Sequence, residues 1–281
     1  MIVSLKEIQN KTVQFFASKG VENAKLDADL ILAHALEIKR LGLYLNLERR
    51  ITGAELNKIR ELVRRRGNRE PLQYILGETV FYGCHLKVDN RALIPRHETE
   101  LLVDECMGFI QQGSRVLDLG TGSGAIALAI ANAIEGVQLT AVDKEITALA
   151  LAKENAKRLG LESHIEFVQS NWLSQLPNAA PFDLIVANPP YLTSDELKSA
   201  APEVAKYEPV QALVSRESGL YDLKQILIQA HSYLAFNGVV VLETGIKHHK
   251  ALTEHAHALG YSKITSKPDL NKRPRFLVIQ A

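Results

Sequence analysis

The feature of this 281-residue chain that most restricts its fold is an alternation of short apolar runs and helical stretches in its second half. Stretches with helical character, such as Ala125–Ala133 and Ile146–Leu159, separate the earlier runs. This alternation predicts an α/β fold with a doubly wound, mainly parallel sheet. The runs of strand length, which are rich in branched residues, are Val116–Leu119, Leu139–Asp143, Ile165–Val168, Leu184–Ala187, Val239–Leu242 and Phe276–Ile279.

The first part of the chain has a different pattern, an apolar period near 3.6 residues, which predicts helices over residues 1–78. The segments Ser4–Glu7 and Thr52–Glu55 have the spacing of a capping box, and we expect their helices to end at Gly20 and Gly67. Residues 79–90 suggest a hairpin connector, which leaves residues 91–281 for the sheet domain. The sequence therefore predicts a small N-terminal helical domain followed by a larger α/β domain.

Two charged clusters have more than one interpretation. Arg64–Arg66, with Arg69 close behind, is either a solvated helix end, where cations suit the helix dipole, or a docking surface for an acidic partner. Four histidines crowd residues 248–257 without metal-ligand or triad spacing. We interpret the histidines as a solvated helix face and predict no metal site.

The composition predicts an internal globular protein. The net charge is +1, from 33 basic and 32 acidic residues, so no global field draws the chain to nucleic acid or to a membrane. Cys84 and Cys106 are too few for a secreted disulfide framework, and no apolar run reaches membrane-spanning length. Glu7 follows Met1 too closely for a signal peptide. We expect a cytoplasmic monomer with no membrane partner and no stable nucleic-acid partner.

One strand-length run ends abruptly in Asn188-Pro189-Pro190-Tyr191, here called the Asn-Pro-Pro-Tyr corner. Prolines supply no ladder N–H, so the chain must leave the sheet at a strand's carboxyl end, where ligands bind in open α/β sheets. The Asn188 oxygen and the proline carbonyls are rigidly held acceptors, and Tyr191 offers a flat face. These groups suit a planar NH2 whose nitrogen attacks an electrophile. The alternative is a plain strand-terminating turn.

Another strand end carries a glycine loop, Gly120-Thr121-Gly122-Ser123-Gly124, which follows Asp118 closely and precedes a helix. Such glycines let a ligand approach the backbone, which implies a cofactor. Asp143, 23 residues beyond Gly120, is placed to bind ribose hydroxyls. The spacing departs from GxGxxG, and Asp118 would repel a pyrophosphate but attract a sulfonium, so S-adenosylmethionine is favoured over a nicotinamide cofactor. Trp172, the only tryptophan, either walls off the adenine or is a core aromatic.

These motifs together resemble the release factor glutamine methyltransferases, the HemK/PrmC family. The resemblance extends to Arg91–Glu100, Arg69–Gly77, Tyr207–Pro209 and Gly219-Leu220, and so covers nearly the whole chain. It implies a Rossmann-like class I S-adenosylmethionine-dependent methyltransferase domain, with S-adenosylhomocysteine as the product. It also implies N5-methylation of the glutamine in the Gly-Gly-Gln loop of peptide chain release factors, which would be the protein partners.

Carried over by position, the resemblance assigns a role to each motif. Residues 120–124 would cradle the methionine part of the donor, Asp143 the ribose, and Trp172 the adenine neighbourhood. Asn188 would touch the donor and, with the carbonyls of Pro189 and Pro190, grip the substrate amide. Tyr191 would pack against the glutamine side chain, and the helical domain would help to seat the release factor.

The sequence departs from the family pattern at three places, and other classes of function stay open. The departures are His97 where proline is usual, Asn171 where aspartate is usual, and Ser215–Ser218 in place of a glycine-rich segment. A methyltransferase acting on the amino group of adenine or guanine would use the same grip on NH2. A nicotinamide oxidoreductase and a non-catalytic binding module built on the same fold are further alternatives.

Overall fold

The computed structural model describes residues 3–176 and 181–281. The helices are α1 (Leu5–Ser18), α2 (Ala24–Ala35), α3 (Arg40–Leu45), α4 (Gly53–Gly67), α5 (Leu72–Leu76), α6 (His97–Met107), α7 (Ala125–Ala133), α8 (Ile146–Leu159), α9 (Ser194–Ser199), α10 (Pro202–Tyr207), α11 (Arg216–Gly219), α12 (Tyr221–Ala230) and α13 (His249–Ala258). The strands are β1 (Glu78–Phe81), β2 (Cys84–Lys87), β3 (Arg115–Leu119), β4 (Gln138–Asp143), β5 (Ile165–Gln169), β6 (Phe182–Ala187), β7 (Leu234–Glu243), β8 (Lys263–Pro268) and β9 (Pro274–Gln280).

The described residues up to Gly77 form one compact helical unit, together with Ala201–Tyr207. Its helices begin where the sequence predicts. The Glu7 N–H donates to the hydroxyl of Ser4 at 3.3 Å, and Thr52 and Glu55 cap each other reciprocally. The capping box predicted at Thr52 is therefore confirmed, whereas at Ser4 only the serine's half of the box is formed. Their apolar faces share a core whose largest fully buried side chains are Leu5, Phe16, Ile31, Leu32, Leu43 and Ile59.

The arginine run lies at the end of α4 and binds carboxylates of its own chain. Arg66 is only 7% exposed, and its guanidinium pairs with Asp27 at 2.7 Å and with Glu203 at 2.8 Å. Arg69 binds the same Glu203 at 2.6 Å, and Arg65 binds Glu70. The interpretation as a solvated helix end is therefore wrong for Arg66. The pattern could not show this, because Glu203 is distant in sequence.

The compact units differ in one place from the division that the sequence predicts. Ala201–Tyr207 lies within the stretch expected to be a single sheet domain, but it packs with the helical unit. Besides the ion pairs of Glu203, the hydroxyl of Tyr207 donates to the carbonyl of Asn68 at 2.9 Å. The chain therefore enters the helical unit a second time, between two stretches of the other unit.

The second unit contains a seven-stranded sheet with the order β5-β4-β3-β6-β7-β9-β8. The first five strands in this order are parallel, whereas β9 runs antiparallel to both β7 and β8. The prediction of a mainly parallel α/β sheet is confirmed. The sequence analysis missed β8, since its residues Lys263–Pro268 are largely polar and it lies at the sheet edge. The predicted hairpin is also present, as β1 and β2 pair antiparallel.

Alternate residues of the sheet face two separate apolar cores. Val116 and Leu184 point to the side covered by α6 and α7, and Leu117 and Ile185 to the side covered by α12 and α13. Strands buried on both faces read as continuous apolar runs, which is why their positions are visible in the sequence. The helices on both faces thus hold the parallel strands in place, and the carboxyl ends of β3, β4 and β6 lie at the same edge of the sheet.

The histidines near the C-terminus are not all solvated. His248 and His249 are each 9% exposed, and burial lowers the pKa of both imidazoles, that of His249 to about 4. His248 accepts the Gly245 N–H at 3.2 Å and contacts the carbonyl of Ser218 at 3.1 Å. The prediction of a solvated face is therefore wrong for these two residues. In residues 3–176 and 181–281, no group of three or more histidine, cysteine, aspartate or glutamate side chains could hold a metal ion.

None of the helices in the described part of the chain is long and apolar enough to cross a membrane.

Candidate active site

Three strand ends meet at the carboxyl edge of the sheet. Leu119 of β3 is in register with Val142 of β4 on one side and with Ala187 of β6 on the other. The groups that follow, namely the glycine loop, Asp143 and Asn188, therefore emerge side by side. Residues 120–123 of the loop, Asp143 and Asn188 line one cavity, together with Trp172, Pro189 and Pro190, whereas Gly124 does not line it. The structure thus brings together most of the residues that the sequence singled out.

The glycine loop has a backbone that other residues adopt poorly. Gly120 and Gly124 have φ angles of 71° and 84°, in the left-handed region. A Cβ on Gly120 would lie 3.2 Å from Cζ3 of Trp172, and one on Gly124 would lie 3.0 Å from Cδ1 of Leu128. The loop can therefore turn tightly between β3 and α7 only with glycine at these positions.

Asp118 supports this loop from beneath. Its side chain is fully buried; one carboxylate oxygen accepts the hydroxyl of Thr121 at 2.6 Å and the N–H of Ala127 at 3.2 Å. The other oxygen has no hydrogen-bond partner within the described chain, and burial raises the pKa of Asp118 to about 7. Asp118 does not line the cavity. The direct attraction to a cationic donor expected from the sequence is thus replaced by a role in holding the loop.

Asp143 lines the cavity and is tied to the backbone on both sides. One carboxylate oxygen accepts the Gly122 N–H at 2.9 Å, and the other accepts the Glu145 N–H at 2.9 Å. Burial raises the pKa of this carboxyl, while the two N–H groups act in the opposite direction. Each oxygen keeps a lone pair for a further donor. The geometry therefore suits a vicinal diol presented to the end of β4.

Trp172 forms a wall of the cavity beside the glycine loop. It has a φ of 52°, and its indole N–H donates to Asp222 at 3.2 Å. Part of the ring also packs against the core below α12. Asn171, which lines the cavity too, offers an amide where the family usually has a carboxylate. The tryptophan is thus both a core aromatic and a cavity wall, which the sequence analysis treated as alternatives.

A buried hydrogen-bond network lies behind the Asn-Pro-Pro-Tyr corner. The side-chain N–H of Asn188 donates to the Thr99 hydroxyl at 3.1 Å, and that hydroxyl donates to Glu243 at 2.8 Å. The Tyr191 hydroxyl donates to the other oxygen of Glu243 at 3.1 Å. Tyr191 does not line the cavity, and its ring packs against the core. The flat face expected for substrate stacking is therefore turned to the protein interior.

Three residues around this corner were not predicted from the sequence. Thr99 and Glu243 complete the network, and Glu208 anchors the cavity wall by accepting the Ile94 N–H at 3.2 Å and the Arg96 guanidinium at 2.5 Å. One signal was available, since Glu243 is an acidic residue directly after the apolar run of β7. The other two lie in stretches used only for the family resemblance.

Two departures from the family pattern have a local explanation. His97 is the first residue of α6, which is the helix position where proline is best tolerated. Its side chain is 89% exposed. Glu217 and Ser218 have φ angles of 52° and 56°, the left-handed region that glycine adopts readily. The next residue, Gly219, has a φ of 87°, and a Cβ there would lie 2.1 Å from the carbonyl oxygen of Tyr191. This loop therefore packs directly against the Asn-Pro-Pro-Tyr corner.

Solved structures of other proteins share the fold of a large part of this chain. The structure of the hMettl16 catalytic domain in complex with MAT2A 3′UTR hairpin 1 matches with a TM-score of 0.59 and 18% identity, over 71% of this chain and 75% of that one. A methyltransferase from Pyrococcus furiosus matches with a TM-score of 0.52 and 21% identity, over 70% of this chain and 89% of that one. These likenesses extend to the fold alone.

Family models and curated relatives match most of the chain. Residues 7–77 match the PrmC N-terminal domain, and residues 97–206 match the Methyltransferase small domain. The release factor glutamine methyltransferase of Chlorobaculum tepidum is 38% identical over 99% of this chain and 97% of its own length. That of Geobacter sulfurreducens is 39% identical over 87% of this chain and 85% of its own. With this similarity along nearly its full length, the chain belongs to the release factor glutamine methyltransferase family.

Proposed function

We propose that this protein transfers a methyl group from S-adenosylmethionine to the N5 nitrogen of the glutamine in the Gly-Gly-Gln motif of peptide chain release factors. The observation that carries this proposal is the cavity shared by the glycine loop, Asp143 and the first three residues of the Asn-Pro-Pro-Tyr corner. Family membership, established by the curated relatives, supports the same reaction.

The donor half of the cavity fits S-adenosylmethionine by its shape and its hydrogen-bonding groups. The glycine loop leaves backbone accessible to the methionine part, and Asp143 offers two oxygens to the ribose hydroxyls. Trp172 and Asn171 lie where the adenine would be enclosed. Bound there, S-adenosylmethionine supplies a methyl group made electrophilic by its sulfonium.

The acceptor half fits a carboxamide NH2. The Asn188 oxygen and the carbonyls of Pro189 and Pro190 are acceptors, and two of them on one NH2 would turn the nitrogen lone pair towards the methyl carbon. In this reaction the N–C bond would form as the methyl's bond to sulfur breaks, and the amide nitrogen would then release one proton to solvent. Positioning, rather than a strong base, provides most of the rate acceleration in this scheme.

The test is a methyl-transfer assay with labelled S-adenosylmethionine. A purified bacterial release factor, tRNA and DNA are offered separately, and the modified position is located by mass spectrometry. We expect label only on the Gly-Gly-Gln glutamine. Label on an adenine or guanine amino group instead would overturn the proposal in favour of a nucleic-acid methyltransferase.

The Asn188→Ala variant separates the two halves of the cavity. Loss of one NH2 acceptor should lower kcat by about 10²- to 10³-fold, while the donor Kd stays within about twofold. Calorimetry with S-adenosylhomocysteine measures the second quantity. An equal loss of both would contradict the acceptor role of Asn188.

A further inference from the structure

We propose that Thr99 and Glu243 are positioning residues that fix which atom of the Asn188 side-chain amide faces the substrate. The inference rests on the proposed function, because it concerns how the same site grips an amide NH2. It assigns a task to two buried polar residues that do not themselves bind the donor.

The strand register places Glu243 beside Asn188. Ala187 of β6 pairs with Leu242 of β7, so the next residue of each strand lies at the same sheet edge. Glu243 is 2% exposed, and Thr99, which reaches over from α6, is 4% exposed. Of the two, Thr99 lines the cavity, as Asn188 does. The hydrogen-bond network therefore connects the buried Glu243 to the wall of the cavity.

The direction of each hydrogen bond follows from the number of protons available. Each Glu243 oxygen accepts from a different hydroxyl, Thr99 on one side and Tyr191 on the other, so Thr99 commits its one proton to Glu243. The Thr99 oxygen is then left as an acceptor, and Asn188 must turn its NH2 towards it. As a result, the carbonyl oxygen of the Asn188 amide faces away from Thr99 and is available to a substrate NH2.

Tyr191 gives Glu243 its second hydrogen bond and so supports the ionised carboxylate. Burial has the largest effect and holds the pKa of Glu243 above its ordinary value, although the hydrogen bonds from Thr99 and Tyr191 and the nearby charge of Arg275 act in the opposite direction. The negative charge of nearby Glu98 also raises the pKa of Glu243. The corner tyrosine thus contributes to the orientation of Asn188 through Glu243, and not through contact with the substrate.

If these hydrogen bonds ran in the opposite direction, the NH2 of Asn188 would face the substrate in place of its oxygen. If Asn188 were flipped, its NH2 would point at the substrate NH2, and two donors would meet with no acceptor between them. The oxygen and the NH2 of an asparagine side chain are almost the same in shape, so packing alone does not select between the two orientations of the amide. A site that binds an amide NH2 needs only the orientation in which the oxygen faces the substrate. Thr99 and Glu243 select this orientation without occupying space in the cavity.

The experiment compares Thr99→Val, Thr99→Ser and Glu243→Gln in the full-length protein. Valine keeps the shape of threonine but removes the hydroxyl, so kcat should fall about 10- to 100-fold while the donor Kd stays within about twofold. Serine retains the hydroxyl and should recover most of kcat. Glutamine can hydrogen-bond Thr99 in either direction, so a smaller loss of about 3- to 10-fold is expected. Thr140→Val is the matched control, since Thr140 lies in β4 and does not line the cavity.

The outcomes separate this inference from the function on which it rests. If the wild-type protein methylates no release factor, the proposed function fails. If the wild type is active and Thr99→Val keeps its kcat, the inference alone is overturned. It is also overturned if Thr99→Val weakens donor binding and lowers the melting temperature in parallel with kcat and serine restores none of them, because that pattern marks a merely structural role.

Discussion

At the scale of single residues, Asp118 combines full burial with a carboxylate oxygen that finds no partner within the described chain. Burial raises its pKa from an ordinary value near 3.8 to about 7, so the folded protein holds a proton there that the unfolded chain releases. The resulting stabilisation is complete below about pH 4 and is lost as the pH rises through about 7.

The Asp118→Asn variant tests whether Asp118 makes the folded protein less stable as the pH rises. Asparagine cannot titrate, and its oxygen can accept from Thr121 and Ala127 as the carboxylate does. Between pH 5 and pH 8 the wild type should lose about 1–4 kcal/mol of unfolding free energy relative to the variant, measured by urea unfolding. Asp195→Asn is the control, since that side chain is 90% exposed. A wild-type-to-variant difference that is independent of pH would contradict the raised pKa.

Asp143 is the residue whose loss should act on the donor alone. Asp143→Ala removes two carboxylate oxygens from the cavity and the acceptor for the Gly122 N–H. The Kd of S-adenosylhomocysteine, measured by calorimetry, should rise about 10- to 100-fold because charge-assisted hydrogen bonds are lost. The kcat at saturating donor should change far less. An unchanged Kd would remove the ribose-binding role from Asp143.

At the scale of elements, the short helix α11 supports the Asn-Pro-Pro-Tyr corner through a backbone-to-backbone approach. The close approach at Gly219 leaves no room for a Cβ beside the Tyr191 carbonyl. Leu192, which follows the corner, also exchanges backbone hydrogen bonds with residues 213 and 215. A substitution in α11 should therefore shift the corner that holds the substrate amide, although α11 itself does not contact that amide.

Gly219→Ala and Gly113→Ala form a matched pair for this effect. Both glycines have φ near 87°, but a Cβ on Gly113 would meet nothing within 4 Å. Gly113→Ala should cost about 1–2 kcal/mol of unfolding free energy and leave kcat unchanged. Gly219→Ala should cost more, and kcat should fall at least about tenfold because the corner must shift. Equal kcat values in the two variants would show that α11 does not support the corner.

Element positions were largely predictable from the sequence, and long-range polar contacts were not. Glycines, prolines and capping pairs act on their neighbours, so α4 between Thr52 and Gly67 could be predicted almost to the residue. The apolar runs of the parallel strands were visible for the same local reason. The partner of Glu243 is Thr99, 144 residues earlier, and no local pattern shows such a pair. The donor loop was thus predictable, whereas the network that orients Asn188 was not.

At the scale of the whole molecule, the chain builds its helical unit and its sheet unit around separate apolar cores. A ligand that binds only one unit stabilises that unit directly. We therefore expect two unfolding transitions by calorimetry. S-adenosylhomocysteine at about 100 times its Kd should stabilise the sheet unit by about 2.7 kcal/mol and leave the other transition nearly unmoved. Leu32→Ala should shift the helical transition alone, and one joint transition in all samples would contradict this expectation.

The second passage of the chain through the helical unit limits how this protein can be rearranged by recombination. Glu203 supplies the carboxylate for two arginines that belong to the N-terminal segment, and one of them is almost inaccessible to water. A gene fusion that exchanged only the first 77 codons would take both arginines away from Glu203 and leave Arg66 with Asp27 as its carboxylate partner. The N-terminal segment should therefore be exchanged together with Ala201–Tyr207, which packs in the same unit. Chimaeras of family members should tolerate a crossover at residue 78 only when both stretches come from the same parent.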